Sequence, residues 1–255
     1  MNRGLRTLVG AQFLSAFGDN AVLFTVISLT LHEGIRGSWY IPALQSVFIV
    51  AFILLTPWVG RLADQHPKPF VLLGANLVKA LGAIVIMLGV EPLLGYAVIG
   101  LGAASYGPAK YGIIPELTTH DKLVRANGWV EGATIAAILA GTVGGARLAD
   151  YSITIALGSV IALYFTSGLA TLFLPRIKTK PINRKESVWS ELGAAMKGLL
   201  SNQRVRLILI GLSLFWSLAA TLRVVLVAWA PEVLHAGTAT KIADLTFFMA
   251  IGIVI

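Results

Sequence analysis

Apolar residues in this chain come in runs of about twenty, separated by short polar breaks rather than alternating with polar positions. A helix rising about 1.5 Å per residue needs roughly 20 apolar residues to cross about 30 Å of hydrocarbon. The runs therefore predict membrane-spanning helices over 8–31, 40–60, 70–89, 93–113, 129–148, 152–174 and 207–230, with an eighth beginning near 244. The expected fold class is an all-α integral membrane protein. The last residues, FFMAIGIVI, stop inside an apolar run without a polar boundary, which reads as a truncated chain.

The polar breaks carry an orientation signal. When alternate sides are assigned, one side holds Arg3, Arg6, Arg61, Lys68, Lys122, Arg125 and the basic residues of 176–206, whereas the other holds Arg36, Arg147 and Lys241. By the positive-inside rule the amino terminus and the long basic loop face the cytoplasm. MNRGLRTLVG has the basic start of a signal peptide, but the apolar stretch after it is too long and contains Asp19, so a retained first span is expected. In the loop from Pro175 to Arg206, the residues Val188, Leu192, Ala195, Met196 and Leu199 recur at helical spacing. That pattern fits either an amphipathic helix on the inner leaflet or a solvated linker with some helix.

Composition agrees with the pattern: 56% of the 255 residues are hydrophobic and 13% charged, with a mean hydropathy of +0.81. The net charge of +8 does not imply nucleic acid, because 8 of the 20 Lys and Arg fall in the loop segment 176–206 between spans. Cysteine is absent, which removes a disulfide framework, a thiolate metal site and covalent thiol chemistry. No metal site and no cofactor are expected, and coupling to Na+ or H+ is left open.

One short sequence recurs. VGRLAD at 59–64 closes the second span and GARLAD at 145–150 closes the fifth, on opposite sides of the membrane. Two three-helix units of inverted orientation would produce this echo. Gly60, Arg61 and Asp64 are expected in a structural or gating loop, with the Asp capping the following helix or pairing with Arg.

Five ionisable residues fall within the spans, and such residues usually face a bundle interior or a watery cavity. Asp19 shares a helical face with Gln12 and Ser15 and adjoins Asn20, forming a polar stripe on the first helix. Lys110 lies in AASYGPAKYGIIPEL, where Gly107, Pro108, Gly112 and Pro115 predict an interrupted helix. Arg223 lies past the middle of the seventh span, and its planar fork suits phosphate or carboxylate. Glu131, with Asn127 and Thr134 beside it, is expected near the inner interface, and Lys79 is assigned a structural role. Lys110 or Arg223 is the expected partner of Asp19. Two acids against three bases leave a positive excess that favours an anionic group such as phosphate. The substrate-binding or gating set is thus Asp19, Lys110, Arg223, Glu131, Gln12, Ser15 and Asn20, with no catalytic residue.

Enzyme chemistry finds no support in the motifs. None of His32, His66, His120 or His235 has an Asp four or five residues on, and neither a G-x-S-x-G elbow nor an H-E-x-x-H pair occurs.

AQFLSAFGDNAVLF, YGPAKYGIIPEL, ANGWVEGATIAAIL and SLFWSLAATLRVVLVAW together resemble the lysophospholipid-transporter branch of the major facilitator superfamily, from Gram-negative inner membranes. VGRLADQHPKP is similar to the superfamily's loop between the second and third helices, although Pro67 and Pro69 stand where basic residues are common. The resemblance implies twelve helices in two six-helix bundles. This chain would hold the first bundle over 1–174, a basic cytoplasmic loop over 175–206 and the start of the second bundle over 207–255. In that fold the first, fourth and seventh helices line a central cavity, and Asp19, Lys110 and Arg223 fall on them. The implied activity is flipping of lysophosphatidylethanolamine and lysophosphatidylglycerol from the outer to the inner leaflet by alternating access. A cytoplasmic acyltransferase–acyl-carrier-protein synthetase would then reacylate the product. The protein is expected as a monomer among membrane lipids, with no nucleic-acid partner. A cation-coupled exporter of a small amphiphile and a scaffold for the acyltransferase are the alternatives.

Overall fold

A computed structural model describes residues 1–34, 39–175 and 187–254, and its described elements are helical throughout, with no strand among them. The helices are α1 (Arg3–Glu33), α2 (Tyr40–Gln65), α3 (Lys68–Met87), α4 (Pro92–Leu117), α5 (Leu123–Tyr151), α6 (Ile153–Thr171), α7 (Val188–Ser201), α8 (Gln203–Val233) and α9 (Ala239–Val254). A 3-10 turn, His120–Lys122, leads into α5. Each expected span falls on one helix; α6 stops within its apolar stretch, whereas α1, α2, α4, α5 and α8 run past theirs, α1 and α8 with 31 residues each. Their ends are polar because they emerge into the headgroup layer, where the backbone remains helical while the side chains meet water.

Six of the described helices are long and apolar enough to cross a membrane: α1, α2, α3, α5 with its 3-10 turn, α6 and α8. Helix α4 is diluted by Gly, Ser, Tyr, Pro and Lys110, yet it is extensively buried, wedged between α2 and α3. Its surroundings are protein, so its composition need not match hydrocarbon. Nor is it interrupted. Although Pro108 and Pro115 were expected to break it, α4 runs unbroken from Pro92 to Leu117. Each Pro removes one backbone bond, and the close packing on both flanks holds the axis together.

Sequential helices are mostly not neighbours. Helix α1 packs mainly on α5 and α6, α4 packs mainly on α3 and α2, and α3 meets α6. Exchanging α1 with α4, α2 with α5 and α3 with α6 leaves this pattern unchanged, as two inverted three-helix units require. The α1–α5 seam is the closest of these contacts. A Cβ on Gly141 would come within 2.5 Å of the Phe17 carbonyl oxygen, and one on Gly145 within 2.4 Å of the Ala21 Cα. The four-residue spacing of the two glycines puts a flat strip of α5 against the α1 backbone, where dispersion substitutes for the missing hydrophobic drive between helices in lipid.

The two ends of the bundle are stitched separately. On the basic side Asn2 caps α1 by accepting from the Leu5 N–H at 2.8 Å and donates to the Leu117 carbonyl at the end of α4. Lys68 pairs with Glu116, joining the start of α3 to the end of α4. Helix α7 is formed where the loop's helical spacing predicted one, and it leans on α2 through an Arg61–Glu191 pair at 3.1 Å and an edge contact of Trp58 with Trp189 at 5.4 Å. The first half of that loop, 176–186, lies outside the described residues. At the opposite end Tyr40 donates to Glu91, tying the start of α2 to the start of α4.

Replacing Gly145 by Val is expected to overpack the α1–α5 seam at a cost of about 1–3 kcal/mol. Gly158→Ala, where a Cβ meets nothing within 4 Å, is expected to be neutral. Thermal melting of the two variants in detergent, followed by size-exclusion chromatography, checks the pair.

Candidate functional site

The polar stripe of α1 meets α3 and α6 in a continuous network. Lys79 Nζ donates to Asp19 Oδ2 at 2.8 Å and to Ser15 Oγ at 2.9 Å. Tyr164 donates its hydroxyl to Asp19 Oδ1 at 2.9 Å. Ser15 donates to Asn76 Oδ1, Asn76 donates on to Ser167 Oγ, and Ser167 ends the chain on the Ala11 carbonyl. Lys79 also stands 4.9 Å from the Tyr106 ring centroid and 5.6 Å from that of Tyr164. An ammonium between two aromatic faces with a carboxylate in contact is a well-compensated buried cation. The Lys79 side chain is 2% exposed and that of Asp19 21%, so the pair is closed on the Lys79 side and open on the Asp19 side.

Local sequence explains this geometry. Gly18 lets the Tyr164 ring lie on α1, because a Cβ there would stand 2.7 Å from it. Asn76 and Lys79 are three residues apart, on one face of α3, and they reach α1 side by side.

Asp19 therefore does not pair with Lys110 or Arg223. Each of those expected partners sits elsewhere. Lys110, on α4, lies 3.6 Å from Glu131 Oε1 on α5 and 4.2 Å from the Tyr111 ring centroid. Tyr111 donates to the same Glu131 oxygen at 2.7 Å. Arg223, on α8, donates from Nη2 to Asn20 Oδ1 at 3.0 Å. Its Nε is buried without a hydrogen-bond partner, and no carboxylate of a described residue lies within 4 Å of it. Lys79 outcompetes the other cations for Asp19 because α3 and α6 close over that face of α1, whereas α4 and α8 do not reach the carboxylate.

The remaining stripe residue, Gln12, donates to Thr134 Oγ1 on α5 at 2.8 Å and leaves its own Oε1 buried without a partner. Of the loop residues, Arg61 pairs with Glu191, Asp64 is exposed, and a Cβ on Gly60 would meet nothing within 4 Å. The intramembrane charges thus resolve into two neutral pairs, Asp19–Lys79 and Glu131–Lys110, and one guanidinium held by an amide.

Sequence reasoning missed Asp150. It is the Asp of the second echo, and it does not cap the helix that follows it: Ser152 does, accepting from the Ile155 N–H. Asp150 instead accepts from the backbone N–H of Ala239 at 3.1 Å and Thr240 at 2.8 Å, with Ser28 donating to it at 2.9 Å. A carboxylate at a helix N-terminus satisfies orphan donors and the helix dipole together. The bond joins α1, α5 and α9 at the end of the bundle away from the basic side. Just below, an open groove of about 640 Å³ between α5 and α9 is lined by Leu139, Val143, Phe247 and Phe248, with Arg147 and Asp244 at its edge.

Residues 8–255 match the model of the Major Facilitator Superfamily. The chain belongs to the major facilitator superfamily. Solved structures agree at the level of the fold: a D-xylose–proton symporter, with a TM-score of 0.61 at 12% identity over 97% of this chain and 65% of that one, and the POT family transporter PepTSo, 0.57 at 15% over 99% and 55%. At higher identity the chain is similar to proteins named lysophospholipid transporter LplT. The one from Photorhabdus laumondii is 43% identical over all of this chain and 65% of its own length, and the one from Enterobacter sp. strain 638 is 44% identical over all of this chain and 64% of its own. The chain therefore spans just under two thirds of the length of these curated relatives.

Lys79→Met is expected to strand Asp19 and lower stability by about 3–5 kcal/mol, the usual cost of removing one partner of a buried pair. Asp19→Asn combined with Lys79→Met should recover most of that loss. Melting temperatures of the single and double variants in detergent check the coupling.

Proposed function

We propose that this chain carries the headgroup site of a lysophospholipid transporter of the bacterial inner membrane, with its basic side in the cytoplasm. The observation that carries the reading is Arg223: a guanidinium inside a membrane-spanning helix, touched by an amide oxygen and by no carboxylate of a described residue. A charge left in that condition is costly, and a lipid phosphate would supply the missing acceptor in bidentate geometry. Asn20, already in contact, would hold the fork in place. The 43–44% identity to proteins named as lysophospholipid transporters supports the same cargo.

The single acyl tail has a path that avoids the polar stripe. The groove between α5 and α9 is apolar apart from Arg147 and Asp244 at its edge, so a lipid enters from the outer leaflet with its tail in the groove and its phosphate towards Arg223. Alternating access then moves the phosphate towards Lys110, which releases Glu131 as it takes the new partner. The head group is phosphoethanolamine or phosphoglycerol, and the product is handed to a cytoplasmic acyltransferase–acyl-carrier-protein synthetase. The protein works as a monomer and performs no covalent chemistry of its own. Asp19, with both oxygens engaged by Lys79 and Tyr164, holds the bundle rather than carrying a coupling proton, which speaks against the cation-coupled exporter. Asp150 acts as the lock on the outer side.

In the full-length protein, Arg223→Ala is expected to lower uptake of labelled lysophosphatidylethanolamine into proteoliposomes at least tenfold, with Arg223→Lys intermediate because a point charge replaces a fork. Uptake at the normal rate by both variants at equal reconstitution refutes the site. The lock has its own measurement. Residues 1–255 contain no cysteine, so a cysteine introduced at the buried Ala243, in a full-length background freed of any cysteine beyond them, is the sole thiol, and Asp150→Ala is expected to speed its labelling by an impermeant maleimide several-fold from the outer side.

A further inference from the structure

A second charged pocket lies on the basic side, away from Arg223, the buried pairs and the groove between α5 and α9. It has a volume of about 680 Å³ and is lined by Met1, Asn2 and Leu5 of the amino terminus, by Glu116 to Thr119 at the end of α4, and by Lys122, Arg125, Ala126 and Trp129 at the start of α5. Its wall is fixed: Asn2 bonds both the Leu5 N–H and the Leu117 carbonyl, so the amino-terminal segment is pinned across the α4–α5 turn.

We propose that this pocket binds the phosphodiester of an anionic phospholipid in the leaflet on the basic side. Lys122, Arg125 and Trp129 are spaced three and four residues apart, which puts them on one face of the helix start. Both cations are exposed, and among the described residues neither has an ion-pair partner within 4 Å. The one acid on the rim, Glu116, is already neutralised by Lys68 at 2.5 Å. Net positive charge is therefore left facing the pocket. Trp129 is 51% exposed and sits about 6 Å further along the axis than Arg125. That offset puts an indole at the glycerol level of a lipid whose phosphate lies between the two cations, the depth at which Trp is favoured. Leu5, Leu117 and Ala126 give the first segment of an acyl chain an apolar floor. Basic pockets between helix ends of this kind favour anionic lipid headgroups over zwitterionic ones. The site does not depend on the transported cargo, since it shares no residue with the Arg223 site.

The test uses the full chain in phosphatidylcholine nanodiscs titrated with brominated phosphatidylglycerol. Trp129 fluorescence is read as the difference between the unsubstituted chain and Trp129→Phe. Quenching is expected to saturate at low phosphatidylglycerol and to need far more brominated phosphatidylcholine. Lys122→Ala with Arg125→Ala is expected to weaken the phosphatidylglycerol response roughly twenty-five-fold, from about fivefold per basic residue near an anionic headgroup. Lys122→Arg with Arg125→Lys should retain the response, as should Lys241→Ala on the other side. If the double alanine variant does not fold, Lys122→Gln and Arg125→Gln singly, each about fivefold weaker, carry the same test. Equal quenching by the two lipids overturns the proposal, as does the same loss in Lys241→Ala. Competition by free glycerol phosphate overturns the lipid assignment in favour of a soluble anion.

Discussion

The pairing of Asp19 with Lys79 is the constraint around which the first six helices are arranged. Neither charge is tolerable in hydrocarbon alone, and each is tolerable here because the other lies 2.8 Å away with Ser15, Tyr164 and two aromatic faces completing the shell. The pair requires α3 and α6 to close over one face of α1. It thereby decides which face of α1 remains for Asn20 and Gln12, and it withdraws Asp19 from the cations on α4 and α8. What is left uncompensated, Arg223, follows from that choice.

Much of the fold was legible in the sequence. Twenty-residue apolar runs gave every described spanning helix, and the RLAD echo pointed to inverted units that the exchange symmetry of the packing bears out. Membership of the major facilitator superfamily followed from motifs dense within the spans. The fourth helix was the informative departure. Its prolines read as breaks, yet α4 is continuous, because in a bundle a helix is held by its neighbours as much as by its own hydrogen bonds.

The site was legible by residue type but not by pairing. Gln12, Ser15 and Asp19 were found from their shared face on α1, with Asn20 beside them, and Lys110, Glu131 and Arg223 from being ionisable within apolar spans. Which acid meets which base is a tertiary matter: Lys79 was assigned to structure, and it is the Asp19 partner because Gly18 admits the Tyr164 ring and brings α6 in. Asp150 was hidden for a different reason. Its ligands are backbone N–H groups some ninety residues away, and a backbone donor leaves no mark in a sequence beyond the echo that contained it.

The interleaving of the helices bears on how the protein is made. As α1 leaves the ribosome it carries Asp19 into the membrane, and its neutralising lysine follows 60 residues later on α3, while the Tyr164 hydroxyl arrives 145 residues later on α6. Helix α1 cannot settle in lipid on its own terms during that interval. It has to wait beside the insertion machinery or near water, so that assembly of the bundle is completed by its last helix rather than built up pair by pair.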